Sequence, residues 1–189
     1  MTAKPRKPRR SDRTRAAILD AARALFAERS YDGTTIRDIA RRATIDPSMV
    51  MRYFGSKDEL FAAAATFDLR LPDFNAVARE QIGSMLVRHF MEIWEGRGEH
   101  SGFPILLRSA ASNPYAAAKM REIFGAQVLP MIAGVGRRAT AGRRAGLVAA
   151  QILGLALCRY VLRLPPVVDM SADEVVRHVA PTVQRYLDG

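Results

Sequence analysis

The feature that most constrains this chain is the stretch from residue 34 to residue 60, where two short amphipathic segments stand three residues apart. Thr34 or Thr35 is a good N-cap for the first segment, whose apolar face at helical spacing consists of Ile36, Ile39, Ala40 and Ala43. The second segment opens with Asp46 as N-cap and with Pro47, a residue well suited to the first helical position. The pattern predicts a helix-turn-helix.

Helical geometry divides the second segment into an inner and an outer face. The segment runs to about Phe54. At about 100° per residue, Val50 and Phe54 lie on one face. The opposite face and its flanks carry Ser48, Met49, Met51 and Arg52. We expect this outer face to be free to enter a groove.

Ten residues of this stretch resemble the N-terminal domain of TetR-family (TetR/AcrR-like) transcriptional regulators. They are Thr34, Ile39, Ala40, Ala43, Tyr53, Phe54, Ser56, Lys57, Asp58 and Leu60. The helical segment before them is also typical, so the resemblance covers about residues 12 to 65. The departures are Thr44 at the usual turn glycine, Asp46 at the serine cap, Ser48 at a small glycine position and Met51 at a tyrosine. A non-glycine turn costs modest strain, whereas Met51 removes a hydroxyl that in relatives often reaches the DNA.

Helical signals along the whole chain predict an all-α fold. Helices are expected from Ser11 or Asp12, from the capping box at Ser56 to about Leu69, over 75–96, 103–112, 114–135 and 143–164, and from Ser171 onward. Pro130 should bend one of them, and Pro165-Pro166 should end another. With the resemblance, the domains are a disordered basic arm (1–10), a helix-turn-helix DNA-binding domain (11–55), a connecting helix (56–71) and a helical effector-binding and dimerisation domain (72–189).

Basic residues concentrate at the start of the chain. Residues 1 to 15 carry a net charge of +6, which is more than half of the formal +10 of the chain. Such an arm favours a polyanion as partner, although a basic run alone is often only a solvated tail. Beside a helix-turn-helix, it predicts double-stranded DNA as the partner.

The remaining composition predicts a cytoplasmic protein without a membrane partner. The single cysteine, Cys158, excludes an internal disulfide and fits a reducing compartment. No apolar run follows the basic N terminus, and the longest apolar stretch, 147–158, is too short to span a bilayer. The three histidines form no metal motif, and no Walker sequence or nucleophile elbow is present, so neither an enzyme nor a cofactor is expected.

The resemblance and the predicted faces assign DNA contacts by residue. Arg37 matches a position that contacts base edges in some relatives, although a solvated or Asp38-paired arginine is the alternative. The groove-facing candidates of the second helix are Ser48, Met49 and Arg52. Phosphate contacts are expected from Thr35, Tyr53 and Lys57, and minor-groove or backbone contacts from Arg9 and Arg10. Two such helices in a dimer, about one DNA turn apart, would recognise a palindromic operator.

An effector cavity is predicted between helices of the C-terminal part. Its candidate lining residues are Phe90, Trp94, Phe103, Leu106, Leu107, Phe124, Val128 and Met131. Plain core packing explains the same residues, because apolar side chains at helical spacing usually form core. The polar groups that would orient a ligand, or else face solvent, are Arg88, His89, Glu92 and Arg108. By resemblance, a ligand here would move the fourth helix and release the operator.

Two apolar stripes predict close helix contacts. Ala150, Gly154 and Cys158 recur every four residues, with Leu155 and Leu162 on a neighbouring face. The last helix carries Val175, Val179 and Val183. Either stripe can pack within the chain or against a second copy. The resemblance favours a homodimer, because TetR-like proteins usually join through a four-helix bundle of the last two helices of each subunit.

Two other functions stay open at this point. An architectural DNA-binding protein would use charge without sequence preference, bind all DNA alike and need no cavity. A helical protein that binds small molecules and has lost its DNA function would fit the departures at Thr44 and Met51. Our hypothesis is a homodimeric TetR-like repressor, released from its operator by a small, mostly apolar effector.

Overall fold

The structure, a computed structural model, describes residues 9–65, 68–74, 77–95 and 102–189. The described residues form helices joined by turns, with no strand among them. They fall into two compact units divided between residues 66 and 67. The predicted all-α fold is confirmed. Residues 1–8 of the predicted arm lie outside the described part.

The described residues of the N-terminal unit form four helices. They are α1 (Arg10–Arg29), α2 (Ile36–Ala43), α3 (Pro47–Phe54) and α4 (Lys57–Ala64). The predicted N-caps of the last three, Thr35, Asp46 and Ser56, all accept a hydrogen bond from a backbone N–H of the first turn.

Two helix boundaries differ from the sequence prediction. Helix α1 begins at Arg10, because the Asp12 carboxylate accepts the N–H of Arg9 at 3.0 Å and thereby makes Arg9 the capping residue. Arg10 is therefore helical and not part of a disordered arm. Helix α4 ends at Ala64, and residues 68–73 are not helical, so the expected helix through Leu69 is wrong.

Helix α1 supports α2 and α4 through its inward face. All five residues of that face, Ile18, Ala21, Ala22, Leu25 and Phe26, are buried. Phe26 meets Phe61 of α4 edge-on, with ring centroids 5.0 Å apart, and Tyr31 stacks on Phe26 and also meets Phe61 edge-on. The buried hydroxyl of Thr34 donates to the carbonyl of Ser30 and so satisfies the end of α1.

The turn between α2 and α3 requires a left-handed residue. Thr44 occupies it with φ 56° and ψ 45°, and its N–H bonds back to the last turn of α2. This conformation is unfavourable for a β-branched residue, because its Cβ crowds the backbone. The departure from the family glycine is thus accommodated, with local strain.

The C-terminal unit contains seven further helices among its described residues. They are α5 (Ile82–Glu95), α6 (Gly102–Ser109), α7 (Pro114–Ile123), α8 (Leu129–Gly134), α9 (Ala141–Ala156), α10 (Pro165–Val168) and α11 (Ala172–Asp188). Single turns of 3-10 helix cover Arg79–Gln81 and Arg138–Thr140, and π-helical turns cover Phe124–Val128 and Leu157–Val161.

The helix predicted over 75–96 begins later, at Ile82. Ala78 has extended backbone angles, which interrupts the helical path, and residues 75, 76 and 96 lie outside the described part. The helix predicted over 114–135 is present as α7, a π turn and α8, and that π turn immediately precedes the helix containing Pro130. The helix predicted over 143–164 is present as α9 and a π turn that already ends at Val161, so Pro165 does not end it. Pro165 begins α10 instead, because proline suits a first helical turn.

Helices α5 and α11 pack very closely at Gly83. A Cβ added there would lie 2.8 Å from the carbonyl oxygen of Ala180, so the two backbones approach to a distance that only glycine permits. The Gln184 side chain accepts the N–H of Gly83 at 2.8 Å. The inward stripe of α11 is therefore covered by α5 of the same chain.

Arg144 of α9 is the one buried charged side chain among the described residues of this unit, with 2% of its surface exposed. Its guanidinium donates to the carbonyls of Ile132, Arg137 and Leu187 at 3.3, 3.0 and 2.9 Å, and its Nε donates to the Thr140 hydroxyl. Two of those carbonyls lie near the C-terminal ends of α8 and α11, where helices leave carbonyls without partners. Arg144 joins α8, α9 and α11 at one point.

Helix α9 carries more apolar surface than its own unit buries. Among the described residues, the helical run Arg138–Val161 is long and apolar enough to cross a membrane, with 24 residues and a mean hydropathy of 1.3 in its most apolar window. The apolar stretch 147–158 is only part of this run. Just 22% of that window is buried, so the helix presents apolar surface outward.

The strain at Thr44 yields a stability prediction. Thr44→Gly should raise the free energy of unfolding by about 1 kcal/mol, because glycine adopts the left-handed conformation without a steric cost. Thermal and urea denaturation of the full chain measure it. Thr44→Ala is the control, since it keeps a Cβ and should bring no comparable gain. An equal gain from both substitutions would contradict the strain.

Arg144→Met should lower the free energy of unfolding by roughly 3 kcal/mol, because it leaves buried carbonyls of three segments without a donor. Urea denaturation of the full chain gives the value. The neighbouring exposed Arg143 provides the matched control, and Arg143→Met should change stability by less than about 0.5 kcal/mol. Similar losses in both variants would refute the special role of Arg144.

Candidate functional site

The N-terminal end of α2 positions Arg37 at the surface. The Thr35 hydroxyl accepts the N–H of Asp38 at 3.1 Å and donates to its carboxylate at 2.6 Å. Hydrogen bonds from the hydroxyl and the N–H of Thr35 hold the pKa of the Asp38 carboxyl below its ordinary value. Asp38 also pairs with Arg41, at 3.4 Å, and not with Arg37. The Arg37 side chain is exposed, and its guanidinium makes no hydrogen bond or ion pair within the described part of the chain.

The outward face of α3 carries Ser48, Met51 and Arg52, which are all exposed. The N–H of Ser48 donates to the Asp46 carboxylate at 2.8 Å, and its hydroxyl donates to the same oxygen. These two hydrogen bonds lower the pKa of Asp46. Since its proton is engaged, the Ser48 hydroxyl presents acceptor lone pairs to a partner. The Arg52 guanidinium makes no hydrogen bond or ion pair with another described residue.

Other predicted contact residues lie beside these faces. Met49 and Tyr53 are half-buried, and Met51, 42% exposed, is the more outward methionine. The Lys57 ammonium lies 4.0 Å from the ring centroid of Tyr31, whose hydroxyl donates to Asp58. Arg9 and Arg10, at the start of α1, are exposed. The Thr35 hydroxyl is engaged in its cap with Asp38, so the backbone N–H groups of Ile36 and Arg37 are the donors left free in the first turn of α2.

The C-terminal unit encloses an apolar cavity of about 100 Å³. Its wall includes six of the eight predicted residues: Phe90, Trp94, Phe103, Phe124, Val128 and Met131. Leu106 and Leu107 do not line it. Leu106 is fully buried in α6, and Leu107 packs against the core, so both point elsewhere.

Sequence reasoning missed most of the remaining wall, which is formed by Leu69, Leu71, Leu86, Ile93, Met120, Ile123, Val148, Ala149, Ile152 and Leu153. The residues from α9 carried a signal, because Val148 and Ile152 are four apart on one helical face. Leu69 and Leu71 carried none, since they belong to a non-helical segment.

Two side chains hold this non-helical segment against the cavity. His89, a predicted ligand-orienting residue, lies with its Nε2 2.7 Å from the Leu69 carbonyl oxygen. Gln127 accepts the N–H of Leu69 at 2.7 Å. Of the other predicted polar groups, Arg88 pairs with Asp173 at 3.0 Å, and neither it nor Glu92 and Arg108 lines the cavity. Apart from Trp94 with its indole N–H, His89 is the one polar side chain in the wall among the described residues.

A polar cluster stands behind the aromatic wall. Trp94 stacks on Tyr160 with ring centroids 4.5 Å apart, and the Tyr160 hydroxyl donates to Glu95 at 3.1 Å. Glu95 also pairs with Arg159 at 2.8 Å. Burial, and then the Glu95 carboxylate, raise the pKa of Tyr160, so this phenol stays neutral. The cluster fixes the position of Trp94.

The predicted dimer residues separate into two groups. Leu155, Val175 and Val183 are buried in the core of their own unit, which corrects their assignment to an interface. Ala150, Gly154 and Leu162 are exposed, while Cys158 and Val179 are half-buried. Leu147 and Leu157 extend the exposed face of α9, at 43% and 39% exposure. We call Leu147, Ala150, Gly154 and Leu157 the outer α9 face.

The two units match two family descriptions. Residues 18–64 match "Bacterial regulatory proteins, tetR family", and residues 80–187 match "Tetracyclin repressor-like, C-terminal domain". The second match alone covers more than half of the chain. The chain belongs to the TetR family of transcriptional regulators. It is a DNA-binding regulator with a helix-turn-helix, and the family and the relatives found are regulators and not enzymes.

Individual relatives agree with this assignment. The chain is 46% identical over 68 residues to the HTH-type transcriptional repressor Rv3405c of Mycobacterium tuberculosis, which is 33% of this chain and 36% of that protein. The similarity thus spans about a third of this curated relative. A solved TetR-family regulator from Streptomyces coelicolor is 30% identical, over 98% of this chain and 100% of its own, with a TM-score of 0.57.

One structural neighbour carries a ligand. A transcriptional regulator from Saccharomonospora viridis, solved in complex with choline, has a TM-score of 0.65, covering 91% of this chain and 96% of its own. Its 20% identity makes it evidence for the fold alone. TetR-family regulators bind DNA, form dimers and bind small molecules.

The exposed faces give a prediction for two basic residues. Arg37→Ala should cost on the order of 1–3 kcal/mol of operator binding and relax the preference at one base pair, because it removes a bidentate donor. Lys57→Ala should weaken all DNA sequences alike and reduce the salt slope by about 1, because it removes a phosphate contact. Fluorescence anisotropy with operator and random duplexes over a salt series measures both.

Arg121→Ala is the control for net charge, since this exposed arginine belongs to α7 of the other unit. It should leave specificity unchanged. If Arg37→Ala and Lys57→Ala weakened operator and random DNA to the same extent, the base-contacting role of Arg37 would be wrong.

Proposed function

We propose that this regulator is a cytoplasmic, homodimeric repressor that leaves a palindromic operator when a small, mostly apolar effector binds. The observation that carries the DNA part is the pair of exposed guanidinium groups, Arg37 and Arg52, that have no partner within the described residues. Arginines that are not paired internally are available for bidentate hydrogen bonds to bases or phosphates. Arg37 belongs to α2, and Arg52 belongs to the outward face of α3.

The proposed contacts divide into base readout and phosphate binding. Arg37 and Arg52 read base edges, Ser48 accepts from an exocyclic amino group, and Met51 packs against a thymine methyl in place of the predicted Met49. Lys57, Tyr53 and the N-terminal end of α2 at Thr35 bind phosphates, and Arg9 and Arg10 follow the DNA backbone or enter the minor groove.

The proposed dimer forms through the outer α9 face. This face exposes apolar side chains around the small residues Ala150 and Gly154, and a Cβ added at Gly154 would meet no atom within 4 Å in this chain. A second copy can therefore approach closely and bury apolar surface. A bilayer fits less well, because Arg143 and Arg144 lie in the same helical run, and charges in hydrocarbon are costly.

The proposed release acts through the non-helical segment that contains Leu69 and Leu71. This segment follows the N-terminal unit in the chain and forms part of the cavity wall. A ligand that displaces it must break the two hydrogen bonds that Leu69 makes with His89 and Gln127. Its displacement would change the position of the attached DNA-binding unit and so the spacing of the two recognition helices.

The first test is binding to DNA. The purified protein is titrated with the DNA upstream of its own gene and with random DNA of equal length, at several salt concentrations. A preference of at least several hundredfold that survives moderate salt, with a two-fold symmetric footprint, supports the proposal. Equal and steeply salt-dependent binding to both would favour an architectural protein and refute the proposal.

The dimer gives a separate prediction. Replacing Leu147 and Leu157 together by Glu should convert the dimer to monomers and weaken operator binding by at least about tenfold, because carboxylates would be desolvated in the interface. Light scattering after size exclusion and anisotropy measure this. Tyr115→Glu is the control, because this 54% exposed residue lies on α7, away from the outer α9 face. A double variant that stays dimeric would exclude this interface.

A further inference from the structure

We propose that the effector is an uncharged, largely hydrocarbon molecule of about one ring in size, held in the cavity of the C-terminal unit. This inference rests on the proposed function of that cavity as the effector site. It excludes quaternary ammonium compounds, although a structural neighbour was solved with choline. The exclusion follows from the chemistry of the wall.

The wall provides no charged group that could compensate an ionic ligand. It contains no Asp, Glu, Lys or Arg among the described residues, and His89 is already engaged with the Leu69 carbonyl. The indole N–H of Trp94 is its other polar group, and a single N–H does not replace the hydration of an ion. The backbone groups of the surrounding helices are bonded within their helices. A buried ion without a counter-charge or hydrogen bonds is strongly unfavourable, so a charged ligand would lose its hydration without compensation.

The aromatic residues of the wall raise the alternative of a cation held by ring faces. Trp94 meets Phe103 edge-on, at 5.7 Å, and its opposite neighbour is the stacked Tyr160 ring. The Glu95 carboxylate behind Tyr160 is paired with Arg159 and does not line the cavity. The rings therefore act without a carboxylate at the wall, and they suit the faces and edges of a neutral aromatic ligand equally well.

The volume limits the size of the ligand. An apolar cavity of about 150 Å³ is enough to hold benzene and to exclude water. The cavity here is smaller, about 100 Å³, so the part of a ligand that it holds without movement of the wall is at most one small ring or a branched alkyl group of similar size. Larger ligands require wall side chains to move, and Met120 and Met131 are the most adaptable of these.

The sequence contains a built-in reporter for occupancy. Trp94 is the only tryptophan of the chain, and it lines the cavity. Intrinsic fluorescence of the full chain therefore reports the cavity without any DNA, which separates this test from the test of regulation. We would titrate 3,3-dimethylbutan-1-ol and choline, which share one shape and differ in carrying a neutral carbon or a charged nitrogen. Benzyl alcohol and benzoate form a second pair for an aromatic ligand and an anion.

The expected result is saturable binding of the two neutral compounds, with affinities at least roughly tenfold above those of choline and benzoate. Ala149→Leu should abolish the fluorescence change by filling the cavity, while Ala118→Leu, on the outer side of α7, should not. Circular dichroism verifies that both variants fold. Val128→Leu is the second filling variant if Ala149→Leu does not fold, and it should weaken binding in the same way.

The outcomes separate the two proposals. Binding of choline as tight as that of its neutral isostere would overturn the inference. It would also be overturned if no compound changed the fluorescence while the protein still preferred its operator, and the DNA-binding function would then stand. Neutral binding in a protein that shows no operator preference would support the ligand class and refute the proposed regulation.

Discussion

The C-terminal unit depends on the buried guanidinium of Arg144. A single side chain of α9 supplies donors to carbonyls of α8, of the following loop and of α11, and it does so with no carboxylate nearby among its hydrogen-bond partners. The positive charge meets the negative ends of helices, which offsets part of its desolvation. Gly136 leaves room for it, since a Cβ there would lie 2.9 Å from the guanidinium. The absence of a side chain at Gly136 thus serves the packing of Arg144.

Helix α9, which carries Arg144, contributes side chains to three surroundings. Val148 faces the core and the cavity, Ile152 faces the cavity, and Gly154 faces outward. Because apolar residues lie on several faces of this helix, its composition cannot show which face meets which partner. The sequence correctly predicted an apolar helix with a small-residue stripe. It also predicted that Leu155 would join the interface, whereas this residue is part of the core.

The N-terminal unit was predictable because its signals are local. An N-cap and the backbone N–H that donates to it are two or three residues apart, so Thr35, Asp46 and Ser56 could be identified without tertiary information. The stripe of α11 was equally visible, but its partner was not. Gly83 lies about a hundred residues earlier, and only the structure shows that it lets α5 cover Val175 and Val183. Leu69 and Leu71 escaped prediction since they have no helical period.

The cavity and the DNA-binding unit are linked by a thermodynamic requirement. A ligand shifts an equilibrium only by its difference in affinity for the two states, so a cavity that is identical in both would bind an effector without releasing DNA. Most of the wall consists of helices packed into the core, which leaves little freedom to differ. The non-helical wall around Leu69 is held by two hydrogen bonds, each worth about 1 kcal/mol net, and it is the part that can rearrange at low cost. In the proposed mechanism, the effector must therefore favour the state in which this segment has moved.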